Sequence, residues 1–198
     1  MGPSPNEGKV GTFLGRTIEW HEWGISWRGD ERILRDMLVE WNMDGCSEVT
    51  TPYVKAEAAR EEVHIKDPKR VAKYRRGAAK LNYLSLDDPR ISYASKQISQ
   101  TMASPTEEGE MHIKRVLRYL RGKSMCIWAY PWQDAPGYLI GNSDSDWAGC
   151  ARSRRSTSGG GIKFGDHLVA HWSRTQACVA LSSGEAELNA MLKAASEA

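Results

Sequence analysis

The stretch Leu-Ile-Gly-Asn-Ser-Asp-Ser-Asp-Trp at residues 139–147 most constrains the fold, because an apolar run changes abruptly into two carboxylates separated by one residue. In an extended chain alternate side chains share a face, so Asn142, Asp144 and Asp146 lie on one side of a predicted strand. Two carboxylates on one face repel each other unless a cation lies between them, and a hard divalent cation takes oxygen ligands. The alternative is a strand end that simply reaches solvent. The stretch therefore predicts a strand that ends in a metal site or in water.

A second acidic stretch, Ser182-Ser183-Gly184-Glu185-Ala186-Glu187-Leu188, has the pattern of a helix start. We predict a capping box in which Ser182 accepts from the amide of Glu185, while the Glu185 side chain returns to the amide of Ser182. Glu187 has no capping role and heads a helical row with Ala190, Met191 and Ala194, which suits a helix lying on a sheet. Glu187 is therefore predicted to point inward, toward the strand that carries the acids.

The segment from Ser143 to Glu187 closely resembles the ribonuclease H domain of copia-type retrotransposon Pol polyproteins. In that family a strand reading Ser-Asp-x-Asp-Trp-Ala-Gly precedes Arg-(Arg/Lys)-Ser-Thr-Ser-Gly and, later, Ser-Ser-x-Glu-Ala-Glu. This chain carries these pieces in the same order, at residues 143–149, 154–159 and 182–187.

The resemblance implies a two-metal hydrolase that cuts the RNA strand of an RNA–DNA hybrid, with two Mg²⁺ ions as cofactors. It implies that Asp144 is the first metal-bridging carboxylate and that Glu187 binds one of the metals, so these two are the candidate catalytic residues. Asp146 and Glu185 are the less favoured neighbours. In the family a further aspartate follows the helix that begins near Ser182, so we expect the isolated chain to be catalytically incomplete.

The resemblance extends toward the N-terminus. Met43, Cys46, Thr50, Thr51 and Pro52 match a pattern from the far end of the family's reverse transcriptase region. Residues 74–84 match the family's Tyr-Arg-x-x-x-Gly-x-Leu-x-Tyr-Leu helix, although Lys80 stands where the family usually has a small residue before the leucine. Residues 114–122 match its motif Lys-Arg-x-Leu-Arg-Tyr-Leu-x-Gly. We therefore expect residues 1–9 to be a flexible lead, residues 10–122 to be the end of the reverse transcriptase region, and residues 123–198 to be the first half of a ribonuclease H-like domain.

Local signals predict the elements of the first part. Val10–Arg28 reads as a hairpin, Asp30 as the N-cap of a helix through Trp41, and Gly45 as the residue that closes it. Ser104 reads as the N-cap of a helix that ends at Gly122. The fold class is therefore α+β: a helical and hairpin reverse transcriptase tail followed by a truncated ribonuclease H-like fold of antiparallel strands with one helix.

The pair Asp87-Asp88 imitates the paired aspartates of a polymerase centre. It precedes a proline and lies between two helical segments, so we interpret it as a loop and an N-cap. By the family's order the polymerase carboxylates would lie before Met1, and we expect no DNA polymerisation.

The net charge of +2 is unevenly distributed, because residues 66–123 hold 14 Lys and Arg against 6 Asp and Glu. A basic stretch is typical of contact with a nucleic-acid backbone, although a solvated helical surface has the same composition. The candidate nucleic-acid-binding residues are Arg75, Arg76, Lys114, Arg115, Arg118, Arg152, Arg154 and Arg155. The expected partners are an RNA–DNA hybrid or other nucleic acid and the rest of the Pol polyprotein.

Composition excludes several other classes. No apolar run is long enough to span a bilayer and no signal-peptide pattern precedes Lys9, so we expect an intracellular protein, in the cytoplasm or nucleus, with no membrane partner. The four cysteines are scattered, which favours reduced thiols over a zinc site. Two functions stay open: a piece of a ribonuclease H enzyme, and a non-catalytic nucleic-acid-binding remnant of a decayed element.

Overall fold

A computed structural model describes residues 8–55, 62–123, 125–150 and 152–198 of the chain. The predicted lead at residues 1–9 lies almost wholly outside the described residues. The architecture is α+β, as predicted. In chain order the elements are β1 (Val10–Phe13), β2 (Arg16–His21), β3 (Gly24–Arg28), α1 (Glu31–Glu40), α2 (Pro68–Leu84), a 3₁₀ helix (Pro89–Ile91), α3 (Ser92–Gln100), α4 (Glu107–Gly122), β4 (Ile127–Pro131), β5 (Leu139–Asp146), β6 (Thr157–Phe164), β7 (His167–Thr175) and α5 (Ser183–Glu197).

The strands form two sheets, one in the order β1-β2-β3-β4 and one in the order β5-β6-β7. The second sheet is antiparallel throughout, and Asp144 of β5 lies opposite Gly159 of β6. The sequence pair Gly165-Asp166 predicts a hairpin turn, and Gly165, at a φ of 60°, forms this turn between β6 and β7. The alternation of residues predicts a strand from Gly160 to Phe164, but β6 begins three residues earlier, at Thr157.

The chain divides into two compact units. The helical unit comprises Val10–Ile18 and Trp27–Ile127, and the sheet unit includes Glu19–Ser26 and Trp128–Ala198. The helical unit has the larger core, built around side chains with no exposed surface: Met37, Tyr74, Leu81, Leu84, Ile91, Ile113, Val116 and Leu117. The core of the sheet unit is small and consists of Ile162, Trp172 and Ala194, with Ala170 packed against them.

Gly160 is required by this small core. A Cβ at Gly160 would lie 2.4 Å from Cζ2 of Trp172, because the indole crosses β6 at this position. The tryptophan supplied by β7 therefore fills the volume above β6, and a larger residue at 160 would displace it.

The predicted closure of α1 at Gly45 was wrong. The helix ends at Glu40, and Asn42 takes the left-handed conformation at a φ of 54°. The Asn42 amide donates to the carbonyl of Val39, and the Met43 amide donates to that of Leu38, which is a Schellman motif. Asparagine tolerates the left-handed region, so no glycine is needed here.

The predicted N-cap of α1 is confirmed, because Asp30 accepts from the Arg32 amide at 2.9 Å.

The predicted N-cap of α4 was also wrong, by two residues. Thr106 caps the helix by accepting from the Gly109 amide at 3.1 Å, whereas the Ser104 hydroxyl is 3.1 Å from Nδ1 of His64. The reason is an isolated antiparallel bridge between His64 and Thr106, which keeps the backbone extended up to Thr106. Long-range pairing therefore overrides the local Ser-Pro start signal.

The Asp87-Asp88 pair is structural, as predicted. Asp88 is fully buried, caps the 3₁₀ helix through the Arg90 amide, and accepts from Nη2 of Arg90 at 2.6 Å. Asp87 accepts from Nε of Arg16 through both oxygens, at 2.9 and 2.8 Å. The Arg16 guanidinium in turn lies 4.9 Å from the ring centre of Tyr83. Both carboxylates are thus neutralised within the helical unit.

Replacing Asp87 with alanine should lower the free energy of unfolding of the helical unit by about 3 kcal/mol, because the largely buried Arg16 charge loses its partner. Urea denaturation followed by tryptophan fluorescence measures this effect. The control is Asp134→Ala at an exposed carboxylate, which should change the stability by less than about 0.5 kcal/mol. Equal losses in the two variants would contradict the assignment.

Candidate functional site

The acidic end of β5 shows the predicted alternation. Gly141 and Ser145 face α5, since a Cβ at Gly141 would lie 3.6 Å from Ala194 and the Ser145 hydroxyl contacts the helix. Asn142, Asp144 and Asp146 therefore share the other face of the strand. Asp144 is exposed and Asp146 is half-buried.

Glu187 reaches β5 from α5. Its Oε1 accepts a hydrogen bond from Oγ of Ser145 at 3.0 Å, so this carboxylate is fixed one residue away from Asp144 along the chain. Ala190 and Ala194 of the predicted row are buried, and Ala186 joins them. Met191 was wrongly included in this row, because 60% of its surface is exposed.

Asp144 and Glu187 approach the end of β5 from different sides. On a regular strand the side chains of Asp144 and Ser145 point to opposite faces, and Glu187 lies on the face of Ser145. Within the described ranges no group of three or more His, Cys, Asp or Glu side chains is placed to hold a metal ion. The described carboxylates that can offer oxygen atoms at this strand end are Asp144, Asp146 and Glu187.

Asp146 has a structural role in the loop that follows β5. Its Oδ1 accepts a hydrogen bond from the Thr157 amide, and a Cβ at Gly149 would collide with its carboxylate. The Ser156 hydroxyl also accepts from the Ala148 amide, at 3.0 Å. These contacts tie the two ends of the loop together, and they leave Asp144 as the more available carboxylate of the strand.

The N-terminal end of α5 is held by capping hydrogen bonds and by Gln176. Ser182 accepts from the Glu185 amide at 3.1 Å, as predicted, but the Glu185 carboxylate accepts from the Leu181 amide, not from that of Ser182. The buried amide of Gln176 donates to the Ser158 hydroxyl at 2.9 Å and to the Ala186 carbonyl at 2.8 Å. The sequence analysis did not predict a role for Gln176, because a single glutamine after a strand does not indicate which groups it will contact.

The loop between β5 and β6 carries three of the predicted basic residues, Arg152, Arg154 and Arg155, and all three are exposed. Cys150 lies in the same loop. Burial raises the pKa of the Cys150 thiol, but hydrogen bonds involving Ser153 and the Arg152 backbone outweigh this effect and leave the pKa below its ordinary value.

Three other predicted basic residues bind within the helical unit. Arg75 donates to the carbonyls of Met102 and Ala103, at 2.9 and 3.1 Å. Arg76 and Lys114 form ion pairs with Glu40 and Glu110, respectively. Burial raises the pKa of Glu110, but hydrogen bonds from Arg70 and Lys114 outweigh it and lower the pKa below its usual range.

The arginines of α4 hold an extended segment of the chain. Arg115 donates to the Thr51 carbonyl at 3.1 Å, and Arg118 donates to the Ser47 carbonyl at 2.7 Å. Arg121 donates to the Asp44 carbonyl at 2.6 Å. The three arginines are spaced by three residues along one face of α4, and they fix residues 44–51 against the helix.

None of the helices in the described ranges is long and apolar enough to cross a membrane.

No protein-family model matches the chain. An uncharacterized mitochondrial protein of Arabidopsis thaliana, AtMg00810, is 31% identical over 191 residues, which cover 96% of this chain and 78% of that protein. The Retrovirus-related Pol polyproteins from the Arabidopsis transposons RE1 and RE2 are each 32% identical, over 84% of this chain and 11% of each polyprotein. The chain thus spans about a ninth of these polyproteins.

These similarities extend over most of the chain, including both the helical unit and the acidic strand. The chain belongs to the copia-type retrotransposon Pol polyprotein family.

The contact that positions Glu187 can be tested directly. Ser145→Ala should lower the free energy of unfolding by about 1 kcal/mol, because Glu187 loses a half-buried hydrogen-bond donor. The matched control is Ser143→Ala on the same strand, which should have a smaller effect. Urea denaturation of both variants measures the difference, and a larger loss for Ser143→Ala would contradict the placement of Glu187.

Proposed function

We propose that this chain is the part of a Pol polyprotein that joins the end of the reverse transcriptase region to the first half of a ribonuclease H-like domain. In this proposal the sheet unit contributes Asp144 and Glu187 to the hydrolysis of RNA paired with DNA. The observation that carries the proposal is the hydrogen bond from Ser145 to Glu187, because it brings the carboxylate of a distant helix to the acidic end of β5.

The chemistry of the donor set fits a hard divalent cation. Asp144 is exposed, and Glu187 keeps one oxygen beyond the one that accepts from Ser145. Carboxylate oxygens are the ligands that Mg²⁺ prefers, so Asp144 and Glu187 would hold the metal. Because the two side chains leave β5 on opposite faces, a shared ion would lie at the edge of the strand, between the two faces. When bound, Mg²⁺ supplies activation of the attacking water and stabilisation of the leaving oxygen.

The other residues position these two carboxylates. Ser145 orients Glu187, and Gln176 fixes the start of α5 through the Ala186 carbonyl. Asp146 accepts from the backbone of β6, and in this proposal it keeps the loop folded and does not bind the metal. Two metals need more carboxylate ligands than these two residues supply, so full activity requires acids from elsewhere in the polyprotein.

The loop of residues 147–156 is the favoured nucleic-acid contact. Arg152, Arg154 and Arg155 are exposed in the loop after β5, whereas Arg115 and Arg118 are half-buried and hold residues 44–51. A duplex backbone needs several such cations, which also makes binding sensitive to salt. The same loop would serve the second candidate function, a remnant that binds nucleic acid without cutting it.

A metal-binding measurement distinguishes the two candidate functions, the hydrolase piece and the binding remnant, without an assay of cleavage. Mn²⁺ takes the same oxygen ligands as Mg²⁺ and broadens the nuclear magnetic resonance signals of nearby residues. We expect titration with Mn²⁺ to broaden the amide signals around Asp144 and Glu187 first, and Asp144→Asn or Glu187→Gln to weaken the binding at least tenfold.

The control for this titration is Asp166→Asn, an exposed acid in the turn between β6 and β7 that should leave the metal affinity unchanged. Broadening that is uniform over exposed acids, or that survives Asp144→Asn, would contradict the enzyme proposal. Salt-sensitive binding of a hybrid without a metal site at β5 would support the binding remnant.

The nucleic-acid contact has its own test. Replacing Arg154 and Arg155 with glutamine should weaken binding of an RNA–DNA hybrid and reduce the slope of log affinity against log salt concentration by about 2, since two phosphate contacts are lost. Fluorescence anisotropy at several salt concentrations measures the slope.

The matched comparison is the pair Arg115→Gln and Arg118→Gln. These changes should leave the salt slope nearly unchanged and lower the free energy of unfolding by about 1 kcal/mol, because they remove the bonds that hold residues 44–51. A larger change of slope in this pair would place the nucleic acid on α4 instead.

A further inference from the structure

The helical unit contains a cleft between the β1–β2 hairpin and the start of α1. Its volume is about 270 Å³. Every residue that lines the cleft belongs to the helical unit, and three of them are arginines: Arg28, Arg32 and Arg35. None of these arginines lies in the basic stretch of residues 66–123 or in the loop after β5. The cleft is therefore a cationic site separate from the other basic parts of the chain.

The strands place two hydroxyls and a guanidinium in one row along the cleft. The Trp20 amide donates to the Lys9 carbonyl at 2.8 Å, and in this register Thr12 of β1 lies opposite Thr17 of β2. Two residues connect β2 to β3, so Arg28 lies opposite Thr17 on its other side. Side chains that lie opposite each other on neighbouring strands share one face of the sheet, and all three line the cleft.

The pair of Asp30 and Arg32 closes one end of the cleft. Asp30 accepts from Nε and Nη2 of Arg32, at 3.0 and 2.9 Å. The pair lies against Gly15, where a Cβ would collide with the Asp30 carboxylate and where the φ of 79° suits glycine. This close approach fixes the start of α1 beside the hairpin, and it leaves the Asp30 charge neutralised.

Arg32 and Arg35 present cationic donors from α1. They are three residues apart, so they are neighbours on one face of the helix. Asp30 uses two of the five donors of Arg32, whose side chain is 68% exposed. Arg35 is exposed, and its guanidinium forms no ion pair or hydrogen bond with any residue in the described part of the chain.

The acids of the cleft do not cancel this charge. Glu31 lies 3.8 Å from Nη1 of Arg28, which is too long for a hydrogen bond, and its side chain is 45% exposed. Asp36 acts on Arg32 from outside the cleft and does not line it. The three arginines exceed Asp30 and Glu31 by one positive charge, so the cleft favours an anion over a metal ion.

We propose that this cleft binds a phosphate group, held by Arg32 and Arg35 from α1 and by the Thr17 hydroxyl from the sheet. Guanidiniums bind phosphate oxygens through parallel, charge-assisted hydrogen bonds, and a hydroxyl adds a further donor. The volume lies just below the roughly 300–1,000 Å³ of pockets that enclose whole small molecules. The cleft therefore suits a phosphate with its adjoining sugar, while the rest of the ligand stays outside.

Two sources offer this chemistry, the backbone of a nucleic acid and a free nucleotide. The assignment to a backbone rests on the proposed function, whereas the binding of a phosphate group does not.

Nuclear magnetic resonance of the arginine Nε–H signals tests the cleft, with adenosine monophosphate as the probe. We expect saturable shifts at Arg32 and Arg35. Arg35→Gln should weaken the binding about tenfold, because charge-assisted hydrogen bonds to the phosphate are lost. Thr17→Val removes one hydroxyl from a side chain of similar size and should weaken the binding about threefold.

The matched control is Arg70→Gln on α2, an arginine that pairs with Glu107 and Glu110 and whose side chain is 45% exposed. This variant should bind the probe as tightly as the unchanged chain, and adenosine without its phosphate should not bind. Circular dichroism verifies that the variants fold. The proposal is overturned by the absence of saturable shifts at Arg32 and Arg35, by equal weakening in Arg35→Gln and Arg70→Gln, or by equal binding of adenosine.

A second titration, with an RNA–DNA hybrid and without metal, identifies the source of the phosphate. If the cleft holds a backbone phosphate, Arg35→Gln should reduce the slope of log affinity against log salt concentration by about 1. An unchanged slope together with intact binding of adenosine monophosphate assigns the cleft to a free nucleotide. Neither titration involves cleavage, so a failure of the hydrolase proposal leaves the result at the cleft unaffected.

Discussion

The close packing of α5 on its sheet is the constraint on which the rest of the site depends. A helix can approach a strand this closely only where the side chains between them are small, and here Gly141 meets the alanine row of α5. The approach brings Glu187 within hydrogen-bonding distance of Ser145. It also leaves little apolar volume inside, so Trp172 and Ile162 supply most of the core of the sheet unit. The same geometry that positions the Glu187 carboxylate leaves Leu188, Met191 and Leu192 of α5 exposed.

The helical unit uses much of its positive charge internally. Its arginines donate to backbone carbonyls or pair with carboxylates, and Arg118 and Arg16 illustrate the two modes. A guanidinium offers five donors, so it can hold an irregular segment whose carbonyls lack strand or helix partners. A basic composition is therefore weaker support for nucleic-acid binding in this unit than the exposed arginines of the loop after β5.

The sequence predicted the elements with strong local signals. The acidic strand, the caps at Asp30 and Ser182 and the Gly165 turn all follow from residue chemistry that acts over a few positions. One error occurred where distant pairing decides the outcome. The bridge between His64 and Thr106 delayed the start of α4, which no local pattern could reveal.

The site could be predicted only in part for the same reason. Asp144 and Glu187 were predicted from spacing and resemblance, whereas Ser145 and Gln176 gave no signal, because their contacts exist only after β5, β6 and α5 are assembled. The wrong placement of Met191 in the buried row has a related cause. An apolar residue at helical spacing fits either side of a helix that has apolar residues on two faces.

The central claim is that Asp144 and Glu187 can bind one cation at the end of β5. The most direct measurement is anomalous X-ray scattering from crystals of the chain grown with Mn²⁺. The account predicts a peak bonded to carboxylate oxygens of both residues, at about the 2.0–2.1 Å of Mg²⁺–oxygen bonds or slightly longer. A peak bound only at other acids, or no peak that is bonded to both Asp144 and Glu187, would contradict it.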